Sequence, residues 1–307
     1  MVKPAMKIAI TGATGLLGQE LAKHFQRRTD TDVIPLTHAD LDITVPDAAR
    51  AVIRDIQPDA LINCAVIISV DACERDPKRA YAVNRDGAEF LMEALAGLPH
   101  PATFVEISSS EVFGGWEDGE FNIEGYREDD ERHPISVYQK SKAEAEDLVK
   151  DFATKHPGKF QRWFIVRAAW LYGEGRPTFV EQFVELLQKR EEITAAADQW
   201  RSPTWTRDFT EGFDALLNGA YSNGVYHIVN EVKPGEATVM DVVEEIRAYL
   251  RVASEEVKLN LVSRKDFFKT PRAPSNVLLN TKLPKLRPWR EALGEYLHLR
   301  YPRERTR

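Results

Sequence analysis

The 307-residue chain is 43% hydrophobic and 29% charged, with a formal net charge of −7. That is the profile of a soluble globular protein with room for one large α/β unit or two coupled domains. The acidic balance argues against nucleic acid or an anionic membrane as main partner, and no apolar run has the length of a membrane span. Two cysteines, Cys64 and Cys73, are too few and too isolated for a disulfide framework or a zinc site, so no metal is expected and a reducing, cytoplasmic setting is. The start "MVKPAMKIAI" runs straight into a strand without a signal-peptide layout, and the basic end "RYPRERTR" reads as a solvated tail.

The first half alternates short apolar runs with amphipathic stretches. "KIAITG" (7–12) reads as a buried strand and "LLGQELAKHF" (16–25) as a helix. "DVIPLT" (32–37) is a strand, "PDAARAVIRDI" (46–56) a helix opened by proline, and "DALINCAV" (59–66) a third strand. A long helix is predicted over 77–96, a strand over 102–109, a helix over 136–153 and a strand over 162–169. This alternation predicts a Rossmann-type, doubly wound parallel sheet with right-handed crossovers. The second half is less regular. Helices are predicted over 178–192 and 238–252, with a strand over 224–231 between them, before a proline-rich stretch and a closing helix. The expected division is a dinucleotide-binding domain over 1–170 and a smaller C-terminal α/β substrate lobe over 171–307. Parts of 200–232 return to the first, and a cleft lies at the carboxyl ends of the strands.

"TGATGLLG" puts Gly12, Gly15 and Gly18 between the first strand and the first helix. Glycines there allow a tight turn, close approach of backbone to a pyrophosphate, and close packing of helix on strand; the helix N-terminus then faces the phosphates. The second strand ends "PLTHADLDI" with no acid immediately at its tip, the position that usually takes the ribose 2′-hydroxyl of NAD. NADP(H) and NAD(H) both stay open, with a lean to NADP(H) and with Thr37 or His38 near its extra phosphate. Asp42 and Ile43 suit the adenine end.

"YQKSK" places Tyr138 and Lys142 four residues apart, on one helix face. An ammonium beside a phenol favours the phenolate, so Lys142 is expected to lower the tyrosine's pKa towards the working range of a general acid. Ser109, at the end of the strand about thirty residues upstream, could bond the same substrate oxygen.

With these motifs in hand, the sequence resembles an extended short-chain dehydrogenase/reductase, and most closely the dTDP-4-dehydrorhamnose reductase family. "ITGATGLLGQELA", "PDALINCAV", "VDACERDPKRAYAVN", "YQKSKAEAE", "RAAWLYGEG", "DQWRSPTWTRD", "GVYHIVN" and "RAPSNVLLNTKL" carry the resemblance in family order over nearly the whole chain. It implies reduction of a 4-keto sugar, with Ser109, Tyr138 and Lys142 as catalytic triad. It also implies Gly12, Thr14, Gly15, Leu16, Leu17, Asp42, Ile43, Asn63, Cys64 and Ala65, with Tyr138 and Lys142, around the cofactor. Ser110, Glu111, Trp170, Trp200 and Arg201 would face a sugar or nucleotide-sugar. The resemblance also suggests a homodimer formed through sheet-flanking helices.

The family pattern breaks in places. Where S-T-D-Y-V-F is usual, this chain has Ser108-Ser109-Ser110-Glu111-Val112-Phe113. The R-P-x-N-S pattern becomes Ala273-Pro274-Ser275-Asn276-Val277, and D-Q-x-G-x-P-T becomes Asp198-Gln199-Trp200-Arg201-Ser202-Pro203-Thr204. Arg201 or Arg272 would then replace the lost cation against a diphosphate. The acidic segment 116–133 is longer than usual and reads as a solvated lid. Two alternatives follow: a nucleotide-sugar 4,6-dehydratase or epimerase using Glu111 as base, and an NADP-binding regulatory subunit without catalysis of its own.

Overall fold

Runs of Ile, Val, Leu and Ala with little polar alternation form the central strands, because helices cover both faces of the sheet they build. The computed structural model describes residues 5–114, 122–190 and 192–303. In chain order its strands are β1 (Met6–Thr11), β2 (Thr31–Leu36), β3 (Ala60–Asn63), β4 (Ala102–Ser109), β5 (Phe160–Ala168), β6 (Leu171–Tyr172), β7 (Ile193–Ala196), β8 (Thr204–Trp205), β9 (Gly224–His227) and β10 (Leu259–Val262). The helices are α1 (Leu16–Gln26), α2 (Pro46–Ile56), α3 (Val70–Arg75), α4 (Pro77–Tyr81), α5 (Gly87–Ala96), α6 (Val137–Lys155), α7 (Phe179–Lys189), α8 (Thr206–Asn218), α9 (Val239–Leu250), α10 (Arg264–Phe267) and α11 (Trp289–Arg300).

Strands β2-β1-β3-β4-β5-β9 make one sheet, all pairs parallel. This is the doubly wound Rossmann-type α/β fold read from the sequence. Strand order reverses between β1 and β3, so the crevice at their carboxyl ends is the topological switch point. The sheet is sandwiched between two apolar cores, one holding Leu17, Leu21 and Phe25 of α1, the other Leu91, Met92 and Leu95 of α5.

A third core, around Val184, Ile246, Trp289 and Tyr296, fills the C-terminal region with α7, α9 and α11. Two small parallel pairs, β6–β8 and β7–β10, lie there. Helix α8 sends Phe209, Phe213, Leu216 and Leu217 back into the core beneath α1, and β9 joins the sheet beside β5.

Three local expectations change. The strand over 59–66 stops at Asn63, and the backbone of Ile67 bonds the Asn84 side chain instead (2.8 and 3.2 Å). The helix over 77–96 contains a π-helical turn at Ala82–Asp86, which carries Asn84. The described part of the acidic segment is solvated at Glu124, Arg127, Asp129 and Glu131 but anchored at two buried residues among them. Tyr126 is buried, stacks on Phe113 at 4.3 Å, and exchanges backbone bonds with Val277 and Leu279. Glu128 is buried as well, accepting from Thr281 (3.0 and 2.5 Å). Residues 115–121 of that segment lie outside the described residues.

Candidate active site

The turn between β1 and α1 is shaped by its glycines. Gly12 has φ +63°, and a Cβ there would stand 2.7 Å from the backbone of Cys64 and Ala65. A Cβ on Gly18 would run into the Gly12 carbonyl. Gly15 caps α1 without a side chain, and its own N–H bonds Gly12 O at 2.9 Å. The first-turn amides thus have no side-chain acceptor, and the glycines bring helix and strand close together at the turn, which fits a dinucleotide pyrophosphate. Leu17 points into the core, Leu16 is half-buried and Thr14 exposed. Beyond β2, the N–H and hydroxyl of Thr37 both bond Asp40 (2.9 and 2.6 Å), so Thr37 is already engaged. Asp42 accepts from Thr44 (2.9 and 2.7 Å), which holds its carboxyl below the usual range. The Ile43 side chain is buried in the core.

Under the crevice runs a buried polar chain. Thr11 donates to Asn63 Oδ1 (2.6 Å), Asn63 Nδ2 to Glu106 Oε2 (2.7 Å), and Lys142 Nζ to Glu106 Oε1 (2.5 Å). It joins β1, β3, β4 and α6, and Lys142 and Glu106 are each about 1% exposed. Ala65 N also bonds Asn63 Oδ1 (3.3 Å), and burial beside Glu106 pushes the Cys64 thiol well up.

Tyr138, in the first turn of α6, is buried. Burial pushes its phenol above the ordinary range; Ser109 pulls it down through a hydrogen bond, while Glu111, Cys73 and Glu106 push it further up. This corrects the expectation that Lys142 lowers it: burial is the largest influence, and the ammonium bonds Glu106. Of the serines at the end of β4, Ser108 turns away to Glu146 (2.5 Å) and Ser109 turns to Tyr138. The Ser110 side chain is buried.

Glu111 stands where three segments meet. Its Oε2 accepts from Gln139 of α6 (2.9 Å) and its Oε1 from Asn276 of the C-terminal region (2.7 Å). Gln139 is held by its other end, accepting from the N–H groups of Ile135 and Ser136 (2.7 and 3.1 Å) in the capping box that starts α6. Arg201 is buried, bonds the Trp200 and Ala273 carbonyls (3.1 and 3.2 Å), and feels the Glu111 charge. Trp200 is tied by backbone bonds to Pro274 and Asn276 (2.9 and 3.3 Å). Asn276 Oδ1 and Ser275 Oγ, both fully buried, have no partner among the described residues. Trp170, just past β5, has φ +34°, unusual for a bulky residue, and stacks on Phe179 at 3.9 Å. Arg272 leans on the Phe268 ring and reaches Asp71 at 3.5 Å.

Sequence reasoning missed Glu106, Asn84, Gln139 and Glu146. Only Gln139 carried a local signal, three residues after the cap Ser136. The others are buried polar residues whose partners lie 14 to 57 residues away.

Comparison with known proteins agrees with this geometry. The family model of the RmlD substrate binding domain matches residues 6–301. A spore coat polysaccharide biosynthesis protein of Bacillus subtilis is 33% identical over 96% of this chain and 98% of its own. A probable dTDP-4,6-dihydroxy-2-methyloxan-3-one 4-ketoreductase of Streptomyces antibioticus is 32% identical over 94% of each. Among solved structures, a dTDP-4-dehydrorhamnose reductase of Bacillus anthracis in complex with NADP superposes with a TM-score of 0.82 at 29% identity, covering 95% of this chain and 99% of that one.

Proposed function

This chain belongs to the RmlD substrate binding domain family, and from that premise we propose that it is an NAD(P)H-dependent reductase of a nucleotide-linked 4-keto deoxysugar. One observation carries the reading: the tight glycine turn after β1, which has no room for a Cβ at Gly12 or Gly18, and the half-buried Ser109 beside the buried Tyr138 stand at the same carboxyl end of the parallel sheet. The NADP in the B. anthracis structure supports NADP(H) as cofactor here, with NAD(H) as the alternative. Gly12, Thr14, Gly15, Leu16 and Leu17 would hold the pyrophosphate, Asp42 and Ile43 the adenine side, and Asn63, Cys64, Ala65 and Lys142 the nicotinamide side. When bound, the nicotinamide supplies hydride for the keto carbon. Tyr138, kept protonated by burial, gives its proton to the keto oxygen while Ser109 hydrogen-bonds that oxygen. Ser110, Glu111, Trp170, Trp200 and Arg201 would line the sugar and diphosphate. The unpartnered Ser275 Oγ and Asn276 Oδ1 favour a hydroxyl-rich ligand on the same side.

In this reading residues 1–170, with α8 and β9, carry the cofactor, and 171–307 mainly the substrate. The free thiols of Cys64 and Cys73 suit the cytoplasm; among the described residues no helix is long and apolar enough to cross a membrane. The homodimer implied by resemblance is checked by light scattering on the purified chain.

The test is NADPH and NADH oxidation with a panel of dTDP-, UDP- and GDP-linked 4-keto sugars. Turnover of at least one, faster with NADPH, is expected. Cofactor binding without turnover of any would overturn the reductase reading in favour of a regulatory subunit.

A further inference from the structure

Lys142 ends in one of the most enclosed places in the molecule, and what it meets there is a carboxylate. Its ammonium and the Asn63 amide donate to different oxygens of Glu106, at 2.5 and 2.7 Å. Burial pushes the Glu106 carboxyl up, while the ammonium and the Asn63 amide, each donating to one of its oxygens, favour its ionised form. Asn63 is in turn fixed by Thr11, directly before the Gly12 turn, so the anchor is built into the floor of the crevice. We propose that Glu106 is a positioning residue, which holds the Lys142 ammonium against β4 and screens its charge from Tyr138, so that Tyr138 is kept as a proton donor. Tyr138 then enters the reduction already carrying the proton it gives to the keto oxygen. The inference rests on the reading of Tyr138 as the acid in keto-sugar reduction.

The groups acting on Tyr138 are Ser109 and Glu106 of β4, Glu111 of the turn that follows, and Cys73 of α3, with Lys142 one turn further along its own helix. Glu111, Cys73 and Glu106 all oppose the phenolate, while Lys142 is not among the leading influences on it. Around Glu106 stand Lys142, Asn63 and Glu146, with Cys64 nearby. Lys142 is therefore the cation whose release would change the balance. One of its three N–H groups is spent on Glu106, which leaves two for the cofactor ribose.

The experiment titrates the Tyr138 phenol directly. Ultraviolet tyrosinate difference spectra of the cofactor-free full chain are recorded, and those of the matching Tyr138→Phe protein are subtracted. Glu106→Gln removes a charge that itself raises the phenol and also frees the ammonium, so Tyr138 should titrate at least about one unit lower than in wild type, a tenfold change in proton affinity, and lower than in Glu106→Gln/Lys142→Gln, where no ammonium is freed. A smaller shift, or an upward one, overturns the proposal. Should Glu106→Gln not fold, because it leaves Lys142 buried and unpaired, the double variant Glu106→Gln/Lys142→Gln decides. If the pair is screened, its Tyr138 midpoint stays within about half a unit of wild type. A rise of more than about one unit would mean that Lys142 acts on the phenol unscreened, and overturns the proposal. The titration needs no turnover, so a protein that titrates as expected yet reduces no keto sugar keeps the Glu106 assignment and loses the reductase reading.

Discussion

At the scale of single residues, the chemistry turns on Tyr138 and Glu111. Tyr138→Phe removes the proton donor but keeps the ring that packs with Val70, Cys73 and Ala80. Turnover should fall about 10²- to 10⁴-fold with the unfolding midpoint little changed, measured by NADPH oxidation and by thermal melting. Unchanged turnover would remove Tyr138 from the mechanism. Glu111 separates reductase from dehydratase. Both of its oxygens are committed, to Gln139 and Asn276, and Gln139 cannot turn its amide round because its carbonyl caps α6. Glu111→Gln can therefore accept from Gln139 and donate to the otherwise unpartnered Oδ1 of Asn276 once that amide turns round, so it removes the charge and keeps the framework. We expect KM to rise several-fold while kcat drops less than about tenfold; a base acting on carbon would cost kcat about 10²-fold or more.

At the scale of elements, what the sequence disclosed depended on how local the cause was. Strands β1, β2, β4 and β5 and helices α1, α2, α6 and α7 fall where period and capping residues place them, to within a few residues. Helix α8 escaped because its cap is Trp205, with no side-chain acceptor to announce a start. The π turn escaped because its reason, Asn84 reaching Ile67 and Ser141, lies outside its own sequence. The site divides in the same way. Spacing put Tyr138 and Lys142 on one face of α6, but could not show that Glu106, thirty-six residues away, occupies the lysine. The glycine turn was legible because sterics alone dictate it. Gly18→Ala tests this at element level: the new methyl meets the Gly12 carbonyl, a backbone atom, so α1 must shift away from the turn. NADPH affinity, read by fluorescence titration, should weaken at least about tenfold, or about 1.4 kcal/mol, with a lowered melting temperature. Wild-type affinity would show that the cofactor does not sit on this turn.

At the scale of the whole molecule, a buried ionic cluster ties the sheet to the C-terminal region and makes stability depend on acid. Arg167 of β5 grips Glu146 of α6 with two bonds (2.8 and 2.7 Å), and Ser108 and Arg132 bond the same carboxylate. Arg167 also meets His227 of β9 (3.2 Å), whose other ring nitrogen lies 2.9 Å from Leu279 O. Burial, then the charge of Arg167, pushes the imidazole down to about 4. Burial pushes the Glu146 carboxyl up, but Arg167, Ser108 and Arg132 outweigh it and hold it at about 2. Both folded values lie below the unfolded ones, so the unfolded chain binds more protons as acid is added. Stability is complete above pH 6.5 and is lost as pH falls: first through the histidine, between 6.5 and about 4, then through the carboxylate, between 4.5 and about 2. Each step costs on the order of 3 kcal/mol. Urea midpoints should therefore decline already between pH 6.5 and 5, before ordinary carboxylates titrate. In His227→Gln, which keeps a polar side chain but cannot titrate, that early decline should vanish while the loss below pH 4.5 persists. An early decline that survives the substitution would place its origin in another group.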